Sequence, residues 1–107
     1  AEALAALRGR PLVACAGIAQ PARFFEQLRV AGLNPEPLAL PDHARYDTLP
    51  WPAGAAEVIV TEKDAVKLDA ARIARERPGC RVWVAPLDFL PGSAFLAALD
   101  AALAPLA

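Results

Sequence analysis

Histidine occurs once, at position 43, and cysteine twice, at positions 15 and 80. One histidine and two separated cysteines cannot assemble a metal site, and there is no CxxC pair. Cys15 lies in an apolar, strand-like run and Cys80 in a turn. No disulfide scaffold is expected from such a pair, and a reducing, cytoplasmic compartment fits better. There is no GxxxxGK[ST] and no GxGxxG, so the chain carries neither a P-loop nor a dinucleotide fingerprint. Acidic and basic residues nearly cancel, leaving a formal net charge of −1, which provides no electrostatic footprint for nucleic acid. No apolar run approaches the ~20 residues that span a bilayer. The opening residues show no secretory pattern, so the stretch itself is expected to be soluble. It begins at Ala1 rather than methionine, which points to a fragment or a processed product.

What is present is apolar. Of the 107 residues, 56% are hydrophobic, enough for one domain with a real core. The chain is organised around residues 56–67, AEVIVTEKDAVK. Val58, Ile59 and Val60 form an unbroken β-branched run, the pattern of a strand buried on both faces. Thr61 is placed to cap a following helix. Asp64 puts negative charge in its first turn, and Ala65, Val66 and Leu68 continue it.

The other segments alternate in the same way. Residues 1–10 read as a linker or the end of a preceding helix, closing near Gly9. Residues 11–17 read as a first strand, apolar throughout. A turn over residues 17–20 leads to Pro21 at a helix start, with Phe24, Phe25, Leu28 and Ala31 on the buried side and Gly32 as terminator. Residues 34–41 read as a second strand with Leu38, Ala39 and Leu40 at its core. A loop follows in which Pro50 and Pro52 bracket Trp51, more plausibly a core anchor than a ligand-stacking ring. Residues 69–77 form an arginine-rich helix stopped by Pro78-Gly79, residues 81–86 a fourth strand and residues 87–92 a loop. Ser93 caps a last amphipathic helix over 94–103. The expected fold is a small Rossmann-like three-layer α/β domain, with a mostly parallel four-stranded sheet flanked by helices. The direction of the fourth strand is left open.

Each strand leads into a polar or glycine-containing segment: residues 17–20, Asp42-His43, residues 61–64, and Asp88. In a parallel sheet these gather at the carboxyl edge, the usual ligand-binding edge. Thr61, Glu62, Lys63, Asp64, Lys67, Gly17 and Gln20 are therefore candidates for a substrate- or nucleotide-facing rim, though residues 62–64 equally suit a plain helix start. His43, next to Asp42, suits a base, an acid or a donor to phosphate near neutral pH; an exposed loop histidine without a role is the simpler alternative. Lys63 and Lys67 share a helix face, either to hold phosphate or as solvated lysines. Arg72, Arg75 and Arg77 read as a solvated face more readily than as an anion-binding one.

Three blocks carry a family resemblance: Ala16-Gly17-Ile18-Ala19-Gln20-Pro21 with Phe24-Phe25, Pro41-Asp42-His43 with Tyr46, and Thr61-Glu62-Lys63-Asp64-Ala65-Val66-Lys67. In this order and spacing the chain resembles the C-terminal part of the tetraacyldisaccharide 4′-kinases, the lipid A 4′-kinases of Gram-negative bacteria. It departs at Ala19, where the family usually has a second glycine, and at Ala44, where a second histidine is common.

The resemblance implies an intact enzyme that uses ATP and Mg²⁺ to phosphorylate the 4′-hydroxyl of a lipid A disaccharide precursor. It implies a peripheral protein at the cytoplasmic face of the inner membrane. Residues 11–107 would be a C-terminal domain that closes over the active-site cleft, inactive alone and holding no cofactor tightly. The P-loop, metal ligands and catalytic aspartate would belong to an N-terminal domain. His43, with Asp42, would support that aspartate, and Lys63 would face the nucleotide. Without the resemblance, the same edge fits a stand-alone α/β module that binds a phosphorylated small molecule or a protein partner.

Overall fold

The computed structural model describes residues 2–42, 44–86 and 92–106. Its element order is α1 (Glu2–Leu7), β1 (Leu12–Ala16), α2 (Pro21–Val30), β2 (Pro35–Ala39), β3 (Glu57–Thr61), α3 (Glu62–Ala65), α4 (Ala70–Glu76), β4 (Arg81–Ala85), α5 (Gly92–Ala102) and β5 (Ala104–Pro105). The strands form one sheet in the order β2-β1-β3-β4-β5. The first three pairings are parallel and the last is antiparallel. The expected mostly parallel α/β sheet is therefore present, with the fourth strand parallel. It has five strands rather than four, because two residues after α5 turn back along β4.

Alternation along the central strands builds two cores. Leu12, Ala14 and Ala16 of β1, Ile59 of β3, and Trp83 and Ala85 of β4 face one side. There they meet Phe24, Phe25 and Leu28 of α2, Phe95 and Leu99 of α5, and Leu4 and Leu7 of α1. Val13, Cys15, Val58, Val60 and Val82 face the other side, against Tyr46, Leu49 and Trp51 of the loop after β2 and Ile73 of α4. Every residue of β1 and β3 is buried, as their unbroken apolar runs require.

Local signals set most of the ends. Pro21 opens α2. Beyond its C-cap, Gly32 takes φ +91° while Leu33 N–H donates to Leu28 O at 3.1 Å, a C-terminal closure that a Cβ would strain. Arg8 Nη2 donates to Ala31 O at 3.0 Å and ties α1 to that end. Ser93 lies inside the first turn of α5 rather than before it. At the amino end of β3, buried Glu57 accepts from Trp83 Nε1 at 2.7 Å and from Arg10 Nη1 at 3.3 Å.

Two further expectations differ from the structure. Strand β2 is an edge, so Ala39 is exposed and Leu38 and Leu40 only half-buried. Leu40 N–H points at β1, bonding Ala16 O at 2.8 Å. By strand alternation Pro35 and Pro37 then turn their missing N–H outward, which blunts the free edge. Helix α3 is a single turn ending at Ala65, so Val66 follows no buried face and is 82% exposed. Among the described residues no helix is long and apolar enough to cross a membrane.

Candidate functional site

From β1 the chain winds through α2 to β2 on one side, then crosses to β3 on the other side of β1. The carboxyl ends of β1 and β3 flank this reversal, where an open α/β sheet leaves a crevice. Gly17 leaves β1 there, and Thr61 and Asp64 leave β3.

The structure brings three of the sequence candidates, Gly17, Thr61 and Asp64, into one buried network. Asp64 Oδ1 accepts from Gly17 N–H at 3.1 Å and from Tyr46 OH at 2.9 Å, while Oδ2 accepts from Thr61 Oγ1 at 2.5 Å. Thr61 Oγ1 in turn accepts Asp64 N–H at 3.1 Å, the cap that the sequence suggests. Asp64 is 1% exposed, so its carboxyl group joins the ends of two strands and is turned away from solvent. Gly17 has no room for a side chain: a Cβ would stand 2.9 Å from Ala44 Cβ and 3.2 Å from both Asp64 Oδ1 and Pro41 O.

Tyr46 carries the network into the loop after β2. Its hydroxyl lies 3.6 Å from Cys15 Sγ as well as bonding Asp64. Burial, with Cys15 and Asp64 beside it, raises the phenol well above its ordinary value. Burial likewise pushes the Cys15 thiol from 9.0 up to about 11, against the hydrogen bond to Tyr46, which lowers it. An unfolded Cys15 ionises near 9.0 and the folded one near 11, so its contribution to stability is complete below pH 9 and is lost as pH rises toward 11. The melting temperature is expected to fall over that window, and less steeply in Cys15→Ala. A thiol reagent at pH 8 is expected to label partly exposed Cys80 and to spare Cys15 until the chain unfolds.

The remaining candidates line the rim. Gln20 is exposed and precedes α2 without a side-chain cap bond. Glu62 and Lys63 are exposed on the turn of α3. Lys67, also exposed, donates through Nζ to Ala44 O at 2.9 Å. Asp42 is exposed and lines a groove of about 390 Å³ together with Leu40, Tyr46, Thr48 and Pro50. His43, Asp88 and the loop residues Leu87, Phe89 and Leu90 lie outside the described residues. A larger groove, about 460 Å³, opens at the amino end of the sheet between Leu12, Asn34 and Glu57. The carboxylate of Glu57 is already held by Arg10 and Trp83.

Two arginines differ from the solvated face expected of them. Arg72 donates to Tyr46 O at 2.7 Å and Asp47 O at 2.8 Å, and Arg77 to Leu49 O at 3.3 Å and Trp51 O at 3.4 Å. With Lys67 they satisfy five carbonyls of an irregular loop that has no sheet partner. Neither this brace nor the bonds of Tyr46 could be read from spacing, since the partners are 18 to 31 residues apart.

A mostly parallel sheet with its winding reversed between β1 and β3, and with polar loops gathered at that point, defines a doubly wound α/β domain, a fold that generally takes ligands at its carboxyl edge. Residues 1–104 match the family described as tetraacyldisaccharide-1-P 4′-kinase, and the chain belongs to it. It is 72% identical over 106 residues to a tetraacyldisaccharide 4′-kinase of Methylibium petroleiphilum, covering 99% of this chain and 30% of that protein. It is 59% identical over 97 residues to one of Leptothrix cholodnii, covering 91% of this chain and 28% of the relative. A relative of the same name from a Polaromonas species is 50% identical over 109 residues, covering 97% and 30%. The chain thus spans about 30% of the length of the curated relatives it matches. No solved structure matches it.

Proposed function

We propose that this chain is the C-terminal α/β domain of a two-domain, ATP-dependent kinase that phosphorylates the 4′-hydroxyl of a tetraacyldisaccharide 1-phosphate in lipid A biosynthesis. The observation that carries the reading is the family match across residues 1–104, joined to 72% identity with a relative named for that activity. The described residues do not fit a primary nucleotide and Mg²⁺ site. Among the described residues no three of His, Cys, Asp or Glu gather to hold a metal ion. The Gly17 N–H, which could serve a phosphate at the first turn, is committed to Asp64. The P-loop and the metal ligands belong, in this reading, to an N-terminal domain of the longer polypeptide, at the cytoplasmic face of the inner membrane.

This domain then forms one wall of the cleft. Its closure excludes water and completes the set of groups around the transferred phosphoryl group. His43, beside Asp42, orients or electrostatically supports the catalytic base of the other domain while the sugar hydroxyl loses its proton. Lys63, exposed on α3, faces the nucleotide across the cleft. In the full-length enzyme His43→Ala is expected to lower turnover on the order of a hundredfold, equivalent to a few kcal/mol of transition-state support, with the melting temperature unchanged. Wild-type turnover together with a wild-type melting temperature would remove His43 from the mechanism.

A further inference from the structure

We propose that Arg72 is a positioning residue for phosphoryl transfer, setting the loop that carries Asp42 and His43; the proposal rests on the catalytic reading of His43 given above. Tyr46, three residues beyond His43, has φ 60°. For a bulky side chain this left-handed conformation is unfavourable by about 1–2 kcal/mol. It persists only where the surroundings over-determine it, and such positions gather at functional sites.

Tyr46 is held from both ends. Below the loop its hydroxyl bonds Asp64 at 2.9 Å and lies against Cys15. Above the loop its carbonyl accepts from Arg72 Nη1 at 2.7 Å, while Nη2 of the same guanidinium takes the next carbonyl, Asp47 O, at 2.8 Å. Glu76 Oε2 accepts from Arg72 Nε at 2.8 Å and fixes the plane of the fork. One planar group therefore spans two consecutive carbonyls, a geometry that the single ammonium of a lysine cannot reproduce. Lys67 adds a bond to Ala44 O, the residue directly after His43. Arg72 and Lys67 thus hold carbonyls of Ala44, Tyr46 and Asp47, which follow the Asp42-His43 pair in the chain, while β2, paired with β1 through Ala39, holds the segment that precedes it. Releasing the turn lets Tyr46 relax out of the left-handed region and frees the loop backbone that follows the Asp42-His43 pair in the chain. A misplacement of about 1 Å can reduce a rate about a hundredfold.

The test is a double-mutant cycle in the full-length enzyme with Arg72→Gln, His43→Ala and the pair, reading kcat, KM for the lipid disaccharide and melting temperature. Arg72→Gln is expected to lower kcat about tenfold or more, with KM changed by less than about twofold. In the His43→Ala background the same substitution is expected to change kcat by less than about twofold, because its route of action is gone. Arg72→Lys, with one donor centre, is expected to fall between wild type and Arg72→Gln, and replaces it in the cycle if Arg72→Gln does not fold. An Arg72→Gln effect of equal size in both backgrounds, or wild-type kcat in Arg72→Gln, overturns the positioning role while the His43 reading stands. Wild-type kcat in His43→Ala alone overturns both.

Discussion

Asp64→Ala is expected to lower the melting temperature of this domain by roughly 15 °C, one of the two largest stability losses expected of a single substitution in it. The substitution removes the acceptor of three donors at once: Gly17 N–H, Tyr46 OH and Thr61 OH. Asp64 is 1% exposed and Thr61 0%, so water does not readily replace the lost carboxylate. Each buried donor left without a partner costs about 1–3 kcal/mol, so about 3 kcal/mol is a floor. In a domain of this size each kcal/mol moves the midpoint by about 4–8 °C. Asp64→Asn keeps the shape and one acceptor oxygen and is expected to lose less. Tyr46→Phe removes a single hydrogen bond and is expected to lose about 1 kcal/mol. Thermal unfolding followed by circular dichroism separates the three. An Asp64→Ala midpoint within a few degrees of wild type would mean that Asp64 is not the junction of β1, β3 and the loop.

Trp51→Ala is expected to be comparably damaging, by about 3–5 kcal/mol, the usual range for emptying a buried aromatic site. Trp51 is 1% exposed and belongs to the core on the loop side of the sheet, with Val58, Val60, Val82 and Ile73. Pro50 and Pro52 stiffen the chain on either side, which limits how far the loop can collapse into the space. The buried indole N–H has no hydrogen-bond partner among the described residues. Trp51→Phe, which keeps most of the ring and deletes that N–H, is therefore expected to stay within about 1.5 kcal/mol of wild type. The denaturant midpoint, read with an unchanged slope, measures both. Equal losses in the two variants would show that a phenyl ring does not fill the Trp51 site.

The features legible in the sequence are those set by neighbours in the chain. Val58, Ile59 and Val60 announce a buried strand because β-branched residues without alternation suit one environment. Thr61 and Asp64 announce a cap because the bond between them spans three residues. Pro21 and Gly32 mark the two ends of α2 for the same reason. Gathering the candidates at one edge followed from the alternation of strands and helices, and Gly17, Thr61 and Asp64 do meet there.

What stayed hidden depends on partners far away in the chain. Leu38, Ala39 and Leu40 look like core, but only the strand order makes β2 an edge. Val66 looks like the apolar face of a helix, but α3 stops one residue earlier. Arg72 and Arg77 sit on a helix that reads as solvated, yet they serve loop carbonyls 25 to 28 residues away. Strand β5 is two residues long, below what any pattern can signal.

One assay addresses directly whether this chain is part of a lipid A 4′-kinase. The full-length polypeptide is incubated with ATP, Mg²⁺ and a tetraacyldisaccharide 1-phosphate, and the lipid is recovered for mass spectrometry. The expected product is heavier by one phosphate, carried on the 4′-hydroxyl. Recovery of unchanged lipid from a folded, nucleotide-binding protein would contradict it.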